Sequence, residues 1–456
     1  MMLAGTARVR ITPPVGTWQG GYGARTRPSE GVLDDLHARA LVLDGGDGGP
    51  KAAVVSLDIL DLPKERTDRA RQLAESLSGI PAGNIALCMS HTHWGPLTWE
   101  MEGFHQKIDP EYLLLLEKQV AGAVAAAARA LRPVTARPGR GTAGFNINRR
   151  RLTPRGVGGP DPEGPADREV LVLRLDAVPP DGGARFIQAN GVPLALLFRY
   201  TCHATSGPGL NDGGYCLHGD YPGAAAAFIE RSYGGATRAL FLQGCCGDTR
   251  PNLVTPEGRF RAGAWPEVQA LGRELGTAAI AAAERTAFGQ TPSDTPDILA
   301  VAGTTILLPF QIPSREELRH ALDASDRPLS DSGRTWAERT LAALEAGTLP
   351  AGNPAEVQVF RIGPAWLVIL PGEVFVEIGW RVRDAVAEAA GVPTANVIVA
   401  ANANGDVGYV PTAAAMKLGG YEPTAHRMWC WPGCYVPEAQ EILARAAADL
   451  AAGLAR

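Results

Sequence analysis

The sequence predicts an α/β fold. Six apolar runs rich in β-forming residues recur along the chain, and each is followed by a loop with Gly, Pro and polar residues. Between them lie segments with apolar residues three and four positions apart, as in amphipathic helices. With 45% hydrophobic and 20% charged residues, the composition is that of a soluble globular protein. Alternation of strands and helices in such a chain is typical of the α/β class.

The predicted strands begin or end in polar loops and cover residues 52–60, 84–93, 193–206, 237–248, 365–373 and 396–406. The predicted helices cover residues 63–77, 110–131, 267–286 and 373–391. Two stretches fit neither pattern. Residues 312–353 are charged and helical, which predicts a lid or a solvated excursion, and residues 150–168 form a Pro- and Gly-rich loop, either ordered over the site or mobile.

A chain of 456 residues exceeds the usual size of one compact core, so we expect a single large domain over residues 1–456 or two closely packed ones. Its net charge of −5 is spread along the chain, which argues against nucleic acid and against a membrane anchor and favours a small-molecule partner. The sequence leaves the oligomeric state open, with a homodimer as one option.

Targeting and redox features predict a cytoplasmic, bacterial protein. The N-terminus has no charged segment followed by a long apolar one, and no apolar run approaches the roughly 20 residues of a membrane span. Seven irregularly spaced cysteines fit free thiols in a reducing compartment. Abundant Ala, Gly, Arg and Pro are typical of a high-GC bacterial genome.

His91 and His93, in the stretch SHTHWGP, follow the second predicted strand. Side chains at i and i+2 of a strand point to opposite faces, so both can reach one metal ion only if the chain turns there. Imidazole nitrogen is a good zinc ligand. The alternative is a pair of strand-end histidines hydrogen-bonded to the backbone.

Three further polar residues occupy the same kind of position. His203, Glu373 and Asp406 each lie just past an apolar strand, where loops of an α/β sheet converge. Each has a structural alternative, such as a core histidine or, for Glu373, a carboxylate at a helix start. Their joint occurrence favours a metal site.

The chain resembles the neutral, non-lysosomal ceramidases. The motifs that carry the resemblance occur in family order from about residue 5 to residue 425, and they are ITPP, GGYGAR, DDLHARALVL, SHTHWGP, FNINRR, CHATS, GDYPG, GDTRPN, LPGE, and GYVPT followed by GGYE. These enzymes are zinc-dependent amidases that cleave N-acyl sphingosines. The resemblance implies mixed β-sheets flanked by helices, with an active site on loops at strand ends.

The resemblance also assigns roles to residues of this chain. It implies Zn²⁺ ligands at His91, His203, Glu373 and Tyr409, and catalytic roles for His93, Tyr421 and Arg149. His93 would exchange protons with the attacking water and the leaving amine, and Tyr421 or Arg149 would donate to the oxyanion. For the run of arginines at 149–151, a solvated basic loop is the alternative.

One position departs from the family pattern. Arg250, in the loop GDTRPN, stands where the ceramidases have a serine at the reaction centre. A serine acyl-enzyme is therefore not expected, unless Thr249 takes the role of the serine. Direct attack by zinc-bound water is the simpler mechanism. A guanidinium there suits a carboxylate or phosphate better than a lipid tail. Asp248, His218 and Gly21 complete the expected substrate-binding residues.

The expected function is zinc-dependent hydrolysis of a C–N bond in a small, polar amide, with an anionic amide as one option. A secretion signal and the C-terminal β-sandwich domain that ceramidases carry are not expected, and ceramide is disfavoured as substrate. Two alternatives remain open at this point: an esterase, lactonase or phosphoesterase using the same ion, and a catalytically silent relative that binds a small molecule.

Overall fold

The computed structural model describes residues 1–100, 105–178, 192–288, 298–324, 329–429 and 431–456. The strands, in chain order, are β1 (Leu3–Arg10), β2 (Gly31–Val32), β3 (His37–Asp44), β4 (Lys51–Leu57), β5 (Ile85–Met89), β6 (Arg132–Thr142), β7 (Asn146–Asn148), β8 (Leu152–Thr153), β9 (Gly156–Val157), β10 (Glu169–Ala177), β11 (Ala195–Tyr200), β12 (Cys216–Leu217), β13 (Arg238–Gln243), β14 (Thr249–Pro251), β15 (Leu299–Pro309), β16 (Gly352–Ile362), β17 (Ala365–Ile369), β18 (Glu373–Val374), β19 (Val397–Ala400) and β20 (Tyr409–Val410).

The helices are α1 (Lys64–Ser78), α2 (Pro110–Ala128), α3 (Asp220–Ser232), α4 (Trp265–Phe288), α5 (Arg315–Asp323), α6 (Asp331–Ala346), α7 (Val376–Ala390), α8 (Ala413–Leu418), α9 (Tyr421–Thr424) and α10 (Ala439–Ala455). All six predicted strands and all four predicted helices are present. Their observed bounds are shorter by a few residues at most ends, because the polar loop residues at those ends leave the extended or helical conformation.

Two mixed sheets pack face to face between layers of helices. One sheet has the order β13-β11-β10-β6-β1-β3-β4-β5 and the other the order β15-β16-β17-β19. One apolar core, with Leu41, Val54 and Leu173 on one side and Phe360 and Leu367 on the other, joins the two sheets. The expectation of an α/β fold with mixed sheets and flanking helices is confirmed.

Helices cover the outer face of each sheet. Helices α1 and α2 pack on one half of the larger sheet, α3 and α4 on the other half, and α7 and α10 on the smaller sheet. Helix α2 starts at a Pro, with the Asp109 side chain accepting a hydrogen bond from the backbone N–H of Tyr112, as an N-cap does. None of the helices in the described ranges has the length and apolar character that crossing a membrane requires.

The predicted excursion at 312–353 forms the helical hairpin α5–α6, although its last two residues already belong to β16. The hairpin has a small core around Leu318, Trp336 and Ala337. It contacts the rest of the chain through Trp336, whose indole Nε1 donates to the carbonyl oxygen of Trp431 at 2.7 Å. The loop at 150–168 contains the short β8–β9 ladder.

Six cysteines in the described ranges are free thiols, as the irregular spacing predicts. The seventh, Cys430, lies outside the described residues.

Candidate metal centre

The carboxyl ends of six strands meet at one place. Three parallel pairs, β4–β5, β11–β13 and β17–β19, all point toward it. Backbone hydrogen bonds tie their loops together, including those from the N–H of Met89 to the oxygen of Asn402 and from the N–H of Ala401 to the oxygen of Gln243. Side chains from distant parts of the sequence therefore converge here, as is usual at strand ends of α/β sheets.

His91, His203 and Glu373 bring three ligand atoms close together. The Nε2 atoms of the two histidines are 3.1 Å apart, and the Oε2 atom of Glu373 lies 3.4 Å from that of His91 and 3.1 Å from that of His203. A tetrahedral ion with ligands at about 2.0–2.1 Å separates its ligand atoms by about 3.3 Å. The spacing thus fits one small divalent ion.

The orientation of the two imidazoles also fits a cation. Nδ1 of His91 lies 3.0 Å from the carbonyl oxygen of Leu60, and Nδ1 of His203 lies 3.0 Å from that of Cys246. If each Nδ1–H donates to its carbonyl, as in most metal-bound histidines, both Nε2 lone pairs face the carboxylate of Glu373. Three acceptors at this distance repel one another unless a positive charge lies between them.

The chain turns at His91 itself. Strand β5 ends at Met89, and His91 has a φ of +61°, a left-handed conformation that is costly for a residue other than Gly, Asn or Asp. The turn brings His91 and His93 to the same side, with ring centroids 5.3 Å apart. The required turn is present, and it starts at His91.

His93 lies next to the three ligand atoms. His91, His93 and His203 offer ring nitrogens within 4.8 Å of one another, so His93 is a rival to Glu373 as third ligand. The distances favour Glu373, whose oxygen is within 3.4 Å of both other nitrogens. Both ring nitrogens of His93 are buried without a hydrogen-bond partner among the described residues. Burial, together with the two neighbouring histidines, holds the pKa of His93 well below its usual value.

Tyr409 reaches the centre from a two-residue parallel ladder in which it is the register partner of Glu373. Its hydroxyl hydrogen bonds to the carboxylate of Glu373 and accepts a 3.1 Å hydrogen bond from Nη2 of Arg149. Tyr421 hydrogen bonds to Tyr409 and lies half-exposed at the rim. Arg149 is fixed by Glu422, with Nε 2.9 Å from Oε1. Among the three arginines, Arg149 is therefore the one that reaches the centre.

The expected substrate-binding residues are spread around this centre. Gly21 touches the ring of His93. Arg250 extends over the ring of Phe260 at 4.3 Å, and its Nε is buried without a hydrogen-bond partner among the described residues. Asp248 lies deeper, with its two oxygens accepting from Asn148 and from the backbone of Val376, both at 3.0 Å.

His218 is completely buried. Its ring stacks on Trp94 at 4.8 Å, and its Nδ1 accepts from the backbone N–H of Asp220. Neither Asp248 nor His218 lines the cavity that opens on the metal centre.

A cavity of about 150 Å³ opens on the metal centre. Beside His91, His93, Glu373 and the two tyrosines, its walls carry residues that the sequence analysis did not select: Tyr22, Leu60, Asp61, Leu97, Trp99, Gln106, Met428 and Trp429. Asp61 follows β4 by a few residues, so the rule that selected His203 would also have found it. The aromatic residues had no comparable signal, because indole rings usually indicate core packing.

Comparisons with known proteins find neutral ceramidases, although no family model matches the chain. The chain is 24% identical to the neutral ceramidase of Mycobacterium tuberculosis strain H37Rv, over 94% of this chain and 74% of that protein. The crystal structure of the neutral ceramidase from Pseudomonas aeruginosa superposes on it with a TM-score of 0.73 at 20% identity, covering all of this chain and 74% of that one.

A second solved structure, a ceramidase complexed with C2, gives a TM-score of 0.73 at 19% identity over 99% of this chain and 75% of that one. The resemblance seen in the ordered motifs is therefore confirmed at the level of overall sequence and fold. Over nearly its whole length, this chain has the fold of the neutral ceramidases and resembles them in sequence.

Proposed function

We propose that the protein is a zinc-dependent hydrolase that cleaves the C–N bond of a small, polar amide through a metal-activated water. The observation that supports this most directly is the triangle of ligand atoms from His91, His203 and Glu373, with sides of 3.1–3.4 Å. The resemblance to neutral ceramidases supports an amide as the bond that is cleaved.

The donor set suits zinc. Two imidazole nitrogens and one carboxylate oxygen are the three protein ligands typical of catalytic zinc sites, and the hydroxyl of Tyr409 would be a fourth, which with a bound water fits the five-coordinate form that such sites also adopt. A bound zinc ion would supply an acidified water and polarise the substrate carbonyl. The proposed ligands are His91, His203, Glu373 and Tyr409.

The remaining residues have proton-handling and orienting roles in this proposal. His93 has ring nitrogens without a hydrogen-bond partner among the described residues, so one of them can accept a proton from the attacking water and return it to the leaving amine. Tyr421, at the rim, can donate to the developing oxyanion. Arg149 holds the Tyr409 hydroxyl and acts on the substrate through it.

Size and charge favour a small substrate. A cavity of about 150 Å³ in the described residues is below the range usual for drug-sized ligands, which disfavours the long chains of ceramide. Arg250, whose Nε lacks a partner among the described residues, can bind an anionic group of the substrate. A cytoplasmic location remains a prediction from the sequence.

The test combines metal analysis with a substrate panel. Zinc-loaded protein should hydrolyse p-nitroanilides of short acids, lose this activity with a chelator and regain it with zinc. The His203→Ala variant should lose both metal and activity, whereas the matched control His320→Ala, at an exposed position of α5, should keep both. Cleavage of p-nitrophenyl esters or phosphates alone would indicate the alternative reaction. No turnover by fully zinc-loaded protein would indicate a silent relative.

A further inference from the structure

The cavity beside the metal centre has an acidic wall. Besides Glu373, the carboxyl groups of Asp61 and Asp406 line it, and no Lys or Arg is among its described lining residues. Glu373 faces the two histidines, so its charge is used at the metal centre. Neither Asp61 nor Asp406 forms an ion pair within the described ranges, and the positive charge that both carboxyl groups sense in the cavity is that of His91.

Asp61 is held rigidly in this wall. Its two oxygens accept hydrogen bonds from the hydroxyl of Thr98 at 2.5 Å and from the indole N–H of Trp99 at 2.6 Å, and the residue is only 6% exposed. Burial raises the pKa of Asp61, and the two donors act against this effect without cancelling it. A cation in the cavity would therefore favour the ionised form of this carboxyl.

Asp406 accepts one hydrogen bond, from the backbone N–H of Gly408 to its Oδ1 at 2.7 Å. Burial, and then the charges of Asp61 and Glu373, raise the pKa of Asp406 to about 7. Two carboxylates that repel each other in a partly buried wall are costly without a cation between them.

Indole rings complete the wall. Trp99 and Trp429 face each other with centroids 6.3 Å apart, and Trp429 lies 6.2 Å from the ring of Tyr409. Aromatic faces attract organic cations, and the attraction increases when water is excluded. Carboxylates next to indole faces form a suitable environment for an ammonium group.

A second metal ion fits this wall less well. Both oxygens of Asp61 already accept hydrogen bonds, and Oδ1 of Asp406 accepts one from Gly408, which leaves few free ligand atoms in this wall. A divalent ion needs more ligands than this wall offers, whereas an ammonium group needs only acceptors and aromatic faces.

We propose that this cavity binds a protonated amine of the substrate, so that the preferred substrates are amides carrying an ammonium group near the scissile bond. Asp61 and Asp406 are then specificity-determining residues. The inference rests on the proposed function, because it concerns the substrate of that reaction. Arg250 is not among the cavity-lining residues and would contact a different part of the substrate.

The test uses three nearly isosteric p-nitroanilides, 4-aminobutanoyl, pentanoyl and succinyl, which end in an ammonium, a methyl and a carboxylate group. The zinc-loaded enzyme should favour the ammonium substrate over the methyl one in kcat/KM by about tenfold or more. The Asp406→Asn and Asp61→Asn variants should lose this preference, which is read as the ratio of kcat/KM for the ammonium and methyl substrates, while their zinc content and circular dichroism report correct folding. Asp449→Asn, at an exposed position of α10, is the matched control.

A binding measurement separates the two proposals. Calorimetry with 4-aminobutanamide and pentanamide needs no turnover, and the ammonium ligand should bind more tightly to the zinc-loaded wild type but not to Asp406→Asn. Hydrolysis of all three anilides with equal preference, or an equal loss on all three in the variants, would overturn the cavity assignment and leave the amidase proposal intact. If the ammonium ligand binds selectively but none of the three anilides is hydrolysed, the cavity assignment stands and the amidase proposal is wrong.

Discussion

Gly21 lies directly against the imidazole of His93. A Cβ atom at position 21 would come within 2.5 Å of the ring atoms Cγ and Nδ1, and the φ of Gly21 is +92°. Since no real Cβ approaches a ring this closely, any side chain here must displace His93 or the loop that carries Gly21. The contact explains why a glycine occupies this point of the motif GGYGAR.

The first prediction concerns this contact. Gly21→Ala should lower kcat for anilide hydrolysis by about 100-fold, because small displacements of a proton-transfer group are costly. Gly16→Ala is the matched control, since Gly16 has a similar φ of +102° but no atom within 4 Å of its would-be Cβ. Equal losses in both variants would trace the effect to backbone strain, and position 21 would then have no specific role.

The second prediction separates the two candidate ligand sets. Glu373→Ala should weaken zinc binding by more than about 100-fold, whereas His93→Asn should change it by less than about threefold and abolish turnover. Competition with a chromogenic chelator measures the affinity. Loss of zinc in His93→Asn with retention in Glu373→Ala would instead support the set of His91, His93 and His203.

The third prediction concerns Arg250. Replacing Arg250 by Ala should raise KM for the pentanoyl 3-carboxy-4-nitroanilide by about tenfold and leave the pentanoyl p-nitroanilide nearly unchanged, because only a carboxylate on the amine side of the substrate would contact the guanidinium. Arg259→Ala, at an exposed position of the same loop region, is the control. If neutral and acidic amides lose equally, Arg250 has no role in anion recognition.

The fourth prediction concerns the pH dependence of stability. Burial raises the pKa of Asp248 to about 7, whereas in the unfolded chain it should lie near the ordinary value of 3.8. The folded state therefore binds the proton more tightly, so this carboxyl contributes its full stability below about pH 4 and loses it as the pH rises to about 7.

In Asp248→Asn this contribution to the pH dependence is absent. The free energy of unfolding of the wild type relative to the variant should fall between pH 4 and pH 7, by up to about 4 kcal/mol. Urea titrations across this range measure it, with Asp449→Asn as the exposed control. A constant difference between wild type and variant would mean that Asp248 is ionised throughout.

Local patterns in the sequence were sufficient for six of the strands, four of the helices and the positions of several site residues, but not for strands such as β1, β3, β6, β10, β15 and β16. Apolar runs such as 52–60 and 396–406 predict strands because a strand buried on both faces must be apolar along its length. His91, His203 and Glu373 could be selected because polar residues directly after such runs lie at the carboxyl edge of a sheet. Asp61 satisfies the same rule and was not selected.

Other features depend on contacts between segments far apart in the chain. Trp99 and Trp429 are 330 positions apart in the sequence, yet their ring centroids lie 6.3 Å apart in one wall of the cavity. The contact between Gly21 and His93 likewise joins two loops that no local pattern connects. Arg250 was expected to face the reacting groups, and only the fold shows that its guanidinium lies over Phe260.

The sequence by itself determined the α/β class, the order of its strands and helices, and the resemblance to ceramidases, because these depend on periodicity and on ordered motifs. The tertiary structure decided which side chains face one another: that Glu373 comes within 3.4 Å of both histidines, that Arg149 reaches Tyr409, and that the cavity wall is acidic and aromatic. The physical reason is that two packed sheets bring six strand ends together, and distances across that junction are set by packing between elements, which no single stretch of sequence encodes.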